Sequence, residues 1–242
     1  MKTMILCAAL VCAALGCAPK ETAATDTGTT TPETTTASNT GETKTETTTP
    51  EGEKMNETPT APENTEDPAT RKPKDGEEVA VMKTNQGNIV LMFFPDKAPN
   101  HVENFKKLSK EGFYNGTKFH RVIPGFMIQG GDPNSKDGDR SNDGMGGSGK
   151  YLNAEFNDVK HRRGILSMAR SSDPNSASSQ FYIMVADKTH LDGQYSAFGK
   201  VVEGMEAVDK IVNLERDARD NPLPKNPATI EKIDIVAWPI KK

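Results

Sequence analysis

Cysteine is confined to the start of the chain, at positions 7, 12 and 17 of 242 residues. Its absence afterwards excludes an intramolecular disulfide framework and a thiolate metal site in the rest of the protein. Aromatic residues make up only 6% of the chain, and the formal net charge is -4. Because nucleic-acid binding requires a basic face for phosphate, this charge argues against nucleic acid as a partner.

The first 17 residues predict a targeting segment. Lys2 precedes an apolar run over residues 4–15, which is shorter than the roughly 20 residues of a membrane-spanning helix. The run ends in Ala14-Leu15-Gly16-Cys17, which resembles a bacterial lipobox with Cys17 as the lipidated residue, although Leu is preferred where Ala14 stands. We expect a lipoprotein signal peptide over residues 1–17. Ordinary secretion and an uncleaved anchor are the alternatives.

Residues 18–75 have the composition of a disordered stalk. Nineteen of them are Thr, twelve are acidic and six are basic, and Met55 is the only large apolar residue. Such a segment buries too little apolar surface to offset its ordering entropy. We therefore expect a flexible tether, so that the net negative charge belongs to the stalk and the remaining domain is nearly neutral.

Residues 76–242 have the patterns of one folded domain. Two apolar runs within residues 79–94 flank the turn Asn85-Gln86-Gly87-Asn88, which predicts a β-hairpin. Apolar spacing predicts helices over residues 101–110 and 203–214. Apolar runs predict strands over residues 165–168, 181–185 and 230–238. Glycines and turns dominate residues 113–149. Short strands with two helices and no βαβ alternation indicate a β-barrel or sandwich with capping helices.

Four blocks of this domain resemble the cyclophilin-type peptidyl-prolyl isomerases. The first, from Phe119 to Asp132, reads FHRVIPGFMIQGGD. The others follow in the order of that family and read GILSMAR from Gly164, SQFYI from Ser179, and LDGQY from Leu191 with FGKV three residues beyond it. The resemblance extends over residues 78–240. It implies a mainly β fold, a closed eight-stranded antiparallel β-barrel capped by two α-helices, and isomerase (rotamase) activity on X-Pro bonds.

The chemistry of this reaction indicates which residue types it needs. Rotation about a peptide C–N bond has a barrier of about 18–20 kcal/mol, and X-Pro isomers exchange over tens to hundreds of seconds. A donor aimed at the prolyl nitrogen lowers the barrier, because the nitrogen lone pair localises in the twisted transition state. Arginine suits this role, since it is always charged and rich in donors. No metal, nucleophile or cofactor is required, and we expect none.

The resemblance assigns roles by position. Arg121 matches the catalytic arginine, and Gln129 matches the residue that binds substrate backbone and helps to orient the arginine. Other matched positions form the substrate site: Phe126, Met127 and Leu191 the proline pocket, and Ala169 and Gln180 the groove beside it.

Four substrate-site positions depart from the best-known eukaryotic members of that family. Arg170 stands where Asn is common, and Tyr182 stands where Phe usually lies under the proline. His190 replaces a common Trp, which makes strong cyclosporin binding doubtful, and Tyr195 replaces a common His. His190 and Tyr195 are similar to bacterial members. The strand alternation predicts that Phe181 faces the core instead of the groove.

Several other signals are given structural interpretations. Residues 144–151 approach a phosphate-binding P-loop, but Tyr151 replaces the Ser or Thr that would hold magnesium. The acidic residues Asp132, Asp137, Asp139 and Asp143 lack the spacing of an EF-hand and are interpreted as a solvated loop. The basic run over residues 160–163 is interpreted as a surface turn, and His120 as a structural residue.

These observations favour an exported isomerase, lipid-anchored to a bacterial membrane at its periplasmic face or at the cell surface. Its partners would be proline-containing segments of unfolded or extended exported proteins, and the membrane through Cys17. We expect a monomer that binds no nucleic acid. The alternatives are a tethered module that binds proline segments without catalysis, and an adhesin that uses the barrel as a scaffold.

Overall fold

The computed structural model describes residues 67–241. The predicted signal peptide, Cys17 and most of the predicted stalk lie outside them. The described chain has these elements in order: β1 (Glu78–Thr84), β2 (Gly87–Phe93), α1 (Pro99–Lys110), β3 (Arg121–Ile123), β4 (Met127–Gly130), β5 (Ile165–Met168), β6 (Phe181–Met184), β7 (Ala197–Glu203), α2 (Met205–Val212) and β8 (Ile230–Ala237). No helix within this range is long and apolar enough to cross a membrane.

All eight strands of the described chain belong to one antiparallel sheet, in the order β3-β4-β6-β5-β7-β2-β1-β8. The mainly β fold with two helices is confirmed, but the expected closure is not, because the sheet curls into a half-barrel with β3 and β8 as edges. The segment before β8 occupies the edge of β3: Phe119 N–H donates to the Ala228 carbonyl at 2.9 Å, and Val122 N–H donates to the Asp220 carbonyl at 2.8 Å. The residues that lead into β3 also meet the start of β8, because Gly116 N–H donates to the Ile230 carbonyl and Ile230 N–H donates to the Thr117 carbonyl, both at 2.8 Å.

Alternation along the strands divides the buried side chains between the two faces of the sheet. On β6, Phe181 and Ile183 join the larger cluster, into which both helices also pack. Tyr182 and Met184 join a smaller cluster on the opposite face. Because successive residues of a strand point to opposite faces, the strand that completes the core also supplies the floor of a site on the outside.

An aromatic cluster fixes α1 against the inner face. The Phe105 ring lies 5.8 Å from Phe93, 5.1 Å from Tyr114, 5.3 Å from Phe181 and 5.6 Å from Phe198. Such pairs contribute about 0.5–1.5 kcal/mol each beyond their buried area. The expected core position of Phe181 is confirmed.

Residues 67–75, which composition assigns to the stalk, pack against the folded domain. The Arg71 guanidinium donates to both carboxylate oxygens of Glu77, at 2.8 and 2.7 Å. The Lys200 ammonium donates to the Ala69 carbonyl at 2.8 Å, and Pro73 is buried. Composition does not predict these contacts, because they come from single charged and apolar residues with distant partners.

A distant carboxylate caps the first turn of α1. The helix begins after Ala98 with no side-chain cap and no acidic residue in its first turn. The Glu155 carboxylate instead accepts the backbone N–H groups of Asn100 and His101, both at 3.0 Å. It also accepts from the Asn100 amide and the His101 ring, both at 2.6 Å. Burial alone would raise the pKa of Glu155, but these hydrogen bonds outweigh it and hold the pKa below 4.5.

We predict that Glu155→Ala lowers the free energy of unfolding by about 1–3 kcal/mol at pH 7, since it removes the cap and leaves buried donors unpaired. The folded-state pKa lies below the unfolded value. The carboxylate's contribution is therefore present above pH 4.5 and is lost as pH falls through the folded pKa. Urea unfolding at pH 7 and pH 3 measures this difference between the wild type and the variant.

The control is Glu103→Ala, which removes an exposed carboxylate from the same helix and should change stability by less than about 0.5 kcal/mol. A loss for Glu155→Ala of equal size at both pH values would contradict the assignment of its effect to the ionised carboxylate.

Candidate active site

The residues expected in the site meet in one row across the outer face of the sheet. Arg121 on β3 pairs with Gln129 on β4, which pairs with Tyr182 on β6, which pairs with Ser167 on β5. Side chains that are directly opposite on neighbouring antiparallel strands share a face and lie close together. Register therefore places a cation, an amide, a phenol and a hydroxyl side by side.

A small cavity opens above this row. Its volume is about 110 Å³. The lining residues include nine of the eleven substrate-site and catalytic positions expected from the sequence: Arg121, Phe126, Met127, Gln129, Ala169, Arg170, Tyr182, Leu191 and Tyr195. Met127, Tyr182 and Leu191 are buried, whereas Arg121 is exposed at the rim. The cavity is an apolar slot with a guanidinium at its mouth.

A larger cavity of about 680 Å³ adjoins the slot. Gln129, Ala169 and Arg170 line both cavities. The rest of its wall combines the glycine-rich loop, residues 144–151, with polar residues that the sequence analysis did not single out, among them Asp173, Asn175, Ser176 and Ser178. Because Gln129, Ala169 and Arg170 line both cavities, the two cavities form one groove.

The glycine-rich loop is tied to the row through two glutamines. Gln180 Nε2 donates to the carbonyls of Gly144 and Gly146 at 2.9 and 2.7 Å. Gln129 Nε2 donates to Gln180 Oε1 at 2.9 Å. Gln180 therefore lies in the wall of the larger cavity, as expected for the groove, and the Gln129 amide oxygen remains available as an acceptor. No hydrogen bond within residues 67–241 joins Gln129 to the Arg121 side chain.

Both arginines of the site lack an ion-pair partner among residues 67–241, unlike most arginines in that range. Arg121 is exposed. Arg170 is half-buried, and its guanidinium lies 4.5 Å from the centre of the Tyr195 ring. The slot therefore carries uncompensated positive charge.

His190 lies outside both cavities. It is exposed, and its ring centre is 6.4 Å from that of Phe126. His190 can contact the outer side of Phe126, but it does not line the slot.

A buried hydrogen-bond network lies beneath the slot, and the sequence analysis missed it. His161 Nδ1 lies 3.3 Å from Asp192 Oδ1, and His161 Nε2 lies 3.1 Å from Ser167 Oγ. Because the carboxylate can only accept, Nδ1 carries the proton and Nε2 accepts from Ser167. The residue types match a hydrolase triad, but Ser167 is fully buried and cannot reach a substrate.

The interpretation of residues 160–163 as a surface turn was wrong for His161, which is 2% exposed. Burial lowers the pKa of His161, against the opposing effect of Asp192. Its ring stacks on Tyr182 with centres 6.3 Å apart. A histidine between basic neighbours gives no local signal of burial. Only the strand alternation, which turns Ser167 toward the outer face beside Tyr182, could have indicated a polar network there.

His120 is buried beneath the glycine-rich loop. Neither ring nitrogen has a hydrogen-bond partner, and a Cβ on Gly144 would lie 3.6 Å from the ring. Burial lowers the pKa of His120, with Asp132 and Asp143 opposing the effect. Asp132 is itself buried and accepts the backbone N–H groups of Asn134 and Gly144. The interpretation of the acidic residues as a solvated loop was therefore wrong for Asp132, and the structural role of His120 stays a prediction.

No group of three or more His, Cys, Asp or Glu side chains within residues 67–241 is arranged to hold a metal ion.

The Tyr182 hydroxyl is a polar group without a partner. It is buried and forms no hydrogen bond of normal geometry. Burial raises the pKa of Tyr182, and the neighbouring Ser167 hydroxyl opposes that effect only in part. An unpaired buried hydroxyl costs about 1–3 kcal/mol.

We predict that Tyr182→Phe raises the free energy of unfolding by about 1 kcal/mol, because it removes the unpaired hydroxyl and keeps the ring. The matched control is Tyr114→Phe. Tyr114 is equally buried, but its hydroxyl donates to the Ser179 carbonyl at 3.1 Å, so the same change should cost about 1 kcal/mol. Urea unfolding of both variants measures whether each change raises or lowers the free energy of unfolding. A destabilised Tyr182→Phe protein would contradict the prediction.

Comparison with known proteins agrees with this geometry. Residues 79–235 match the family model for the cyclophilin type peptidyl-prolyl cis-trans isomerase. A probable peptidyl-prolyl cis-trans isomerase of Brucella abortus is 48% identical over 168 residues, which are 67% of this chain and 85% of the relative. A peptidyl-prolyl cis-trans isomerase of Acinetobacter baylyi is 43% identical over 163 residues, 64% of this chain and 83% of the relative.

A solved structure has the same fold. The cyclophilin type peptidyl-prolyl cis-trans isomerase of Cryptosporidium parvum, crystallised in the presence of the dipeptide Ala-Pro, matches with a TM-score of 0.60 and 36% identity. The match covers 66% of this chain and 99% of that one. On these matches and on the row of site residues, the chain belongs to the cyclophilin-type peptidyl-prolyl cis-trans isomerases.

Proposed function

We propose that this isomerase rotates X-Pro bonds in unfolded or extended segments of exported proteins, with the slot above Tyr182 as the proline site. The single observation that carries the assignment of the site is the placement of Arg121 at the mouth of an apolar cavity of about 110 Å³. A pyrrolidine ring is apolar and small, and the bond that must rotate would then lie at the rim beside the guanidinium. The Ala-Pro dipeptide named for the Cryptosporidium structure supports a proline ligand.

Arg121 would act on the prolyl nitrogen. In the ground state the nitrogen lone pair is delocalised into the carbonyl, and it becomes an acceptor only when the amide twists. A guanidinium donor at that position therefore binds the transition state more strongly than either ground state. The absence of an ion-pair partner for Arg121 within the described chain leaves its donors available.

The other residues of the row would hold the substrate in place. Phe126, Met127 and Leu191 supply apolar walls for the ring, and the Tyr182 ring lies beneath it. The free Gln129 oxygen can accept a backbone N–H group of the peptide. Its amide nitrogen is fixed by Gln180, so the acceptor is oriented before substrate binds, which lowers the entropy cost of binding.

We predict that Arg121→Ala reduces kcat/KM about a hundredfold, as for removal of one donor to developing transition-state charge. The measurement is cis–trans exchange of an Ala-Pro-Phe peptide by NMR, with the full-length chain as catalyst. The control is Arg162→Gln, which removes the same charge at an exposed position outside the groove.

Acceleration by the wild type with little loss in Arg121→Ala would contradict the role of Arg121. A folded wild-type chain that binds the peptide without accelerating exchange would instead favour the module that only binds proline segments.

We further propose that the isomerase domain is held at a bacterial membrane by a lipid on Cys17. The support is the lipobox-like end of the apolar run and the Thr-rich composition between it and the domain. Because residues 67–75 pack against the domain, a flexible coil would comprise residues 18–66, and these 49 residues would reach about 35–42 Å. This is enough for a monomer to search for clients beside the membrane.

We predict that Cys17→Ser abolishes lipid attachment and moves the protein from the membrane fraction to the soluble fraction of the envelope. Incorporation of a palmitate analogue in a bacterial host, followed by fractionation, measures both effects. Cys12→Ser is the matched control and should leave both unchanged. Label that persists in Cys17→Ser, or that is lost in Cys12→Ser, would place the lipid elsewhere.

A further inference from the structure

We propose that Arg170 forms a carboxylate subsite beside the proline slot, so that the isomerase prefers clients with Asp or Glu within two residues of the proline. This inference rests on the proposed proline site and extends it to the choice of client.

Arg170 lies where an extended peptide must pass. It lines both the slot of about 110 Å³ and the cavity of about 680 Å³. Among the described residues, only Gln129 and Ala169 share this position, and neither carries a charge. A peptide with its proline in the slot and its neighbours in the larger cavity would therefore run past the guanidinium.

The Arg170 side chain is held in place before any ligand arrives. Nη1 donates to the carbonyls of Ser171 and Ser172 at 2.8 and 3.3 Å, and Nη2 donates to the Gln194 carbonyl at 3.1 Å. The Tyr195 ring lies 4.5 Å from the guanidinium carbon. A fixed cation loses little rotamer entropy when a ligand binds.

The guanidinium also keeps its charge uncompensated and one donor unused. Its partners are three neutral carbonyls and two rings, those of Tyr195 and Phe156, and no carboxylate within residues 67–241 forms an ion pair with it. Of its five N–H groups, these contacts leave one on Nη2 for a ligand, because the other unpaired one, on Nε, is buried. A carboxylate that enters the groove would supply the missing negative charge.

Arg170 is not the only charged residue at the groove, so the test must separate its effect from that of the others. Arg121 is a second cation at the slot, so a general preference for acidic peptides would not by itself identify Arg170. Asp173 is the one carboxylate among the residues that line either cavity. It belongs to the wall of the larger cavity and not of the slot, so the slot side of the groove has a positive potential.

The test is NMR exchange with the full-length chain and four pairs of capped peptides around one Pro. Each pair has Glu or Gln at one of the two positions before or the two positions after the proline. We expect kcat/KM for Glu to exceed that for Gln about threefold to fivefold at one position at least, at low salt. In 0.5 M NaCl the ratio should fall toward one, because the Debye length becomes short.

Arg170→Gln should bring the Glu-to-Gln ratio close to one, whereas Arg162→Gln, with the same loss of charge away from the groove, should retain it. A ratio near one at all four positions in the wild type would overturn the inference, as would a ratio that survives in Arg170→Gln. If the wild type accelerates none of the peptides, the proposed proline site fails as well. Acceleration without any preference removes only the carboxylate subsite.

Discussion

The register between the central strands is the constraint on which the site depends. Arg121, Gln129, Tyr182 and Ser167 come from four strands, and antiparallel pairing brings them into one row. A slip of one residue between β4 and β6 would turn Tyr182 and Met184 inward and Phe181 and Ile183 outward, since side chains alternate. The same pairing that buries the aromatic core therefore also sets the spacing of the slot. Catalysis by a single donor requires this precision, because the benefit of a transition-state hydrogen bond depends on its geometry.

Two hydrogen-bond networks on the outer face of the sheet support the row. Beneath it, Asp192, His161 and Ser167 form a buried network on which the Tyr182 ring stacks. Beside it, Gln180 connects Gln129 to the backbone of the glycine-rich loop. The residues that resemble a phosphate-binding loop therefore serve as a wall of the peptide groove. Polar groups in this fold hold the site residues in place and leave Arg121 as the uncommitted donor.

Much of the fold followed from local patterns. The β1–β2 hairpin has a turn signal between two apolar runs, and its bounds agree with the prediction. Both helices lie where the apolar spacing placed them, although α1 begins earlier, at Pro99, and α2 is shorter. Strands β3, β4 and β7 were not predicted by pattern, because none of them shows an uninterrupted apolar run: β3 begins with Arg121, β4 ends in Gln129-Gly130 and β7 contains Gly199-Lys200. The closure of the barrel, expected from the family resemblance, is only partial: β3 and β8 form no ladder, and the residues before β3 meet β8 only at its first residue, Ile230.

The sequence by itself determined which chemistry the domain can perform, because four ordered blocks contain the arginine, the slot residues and the groove residues as types. It also determined the contrast between a Thr-rich, apolar-poor segment and a folded domain. Only the tertiary structure decided that His161 is buried, that Glu155 caps a helix more than fifty positions away, and that Arg170 lines two cavities at once. The physical reason is that local patterns report which face a residue prefers, whereas these three features depend on partners brought together by strand pairing and loop packing. The net charge at the groove depends in the same way on which arginines lie close enough to a carboxylate in the folded chain to form an ion pair.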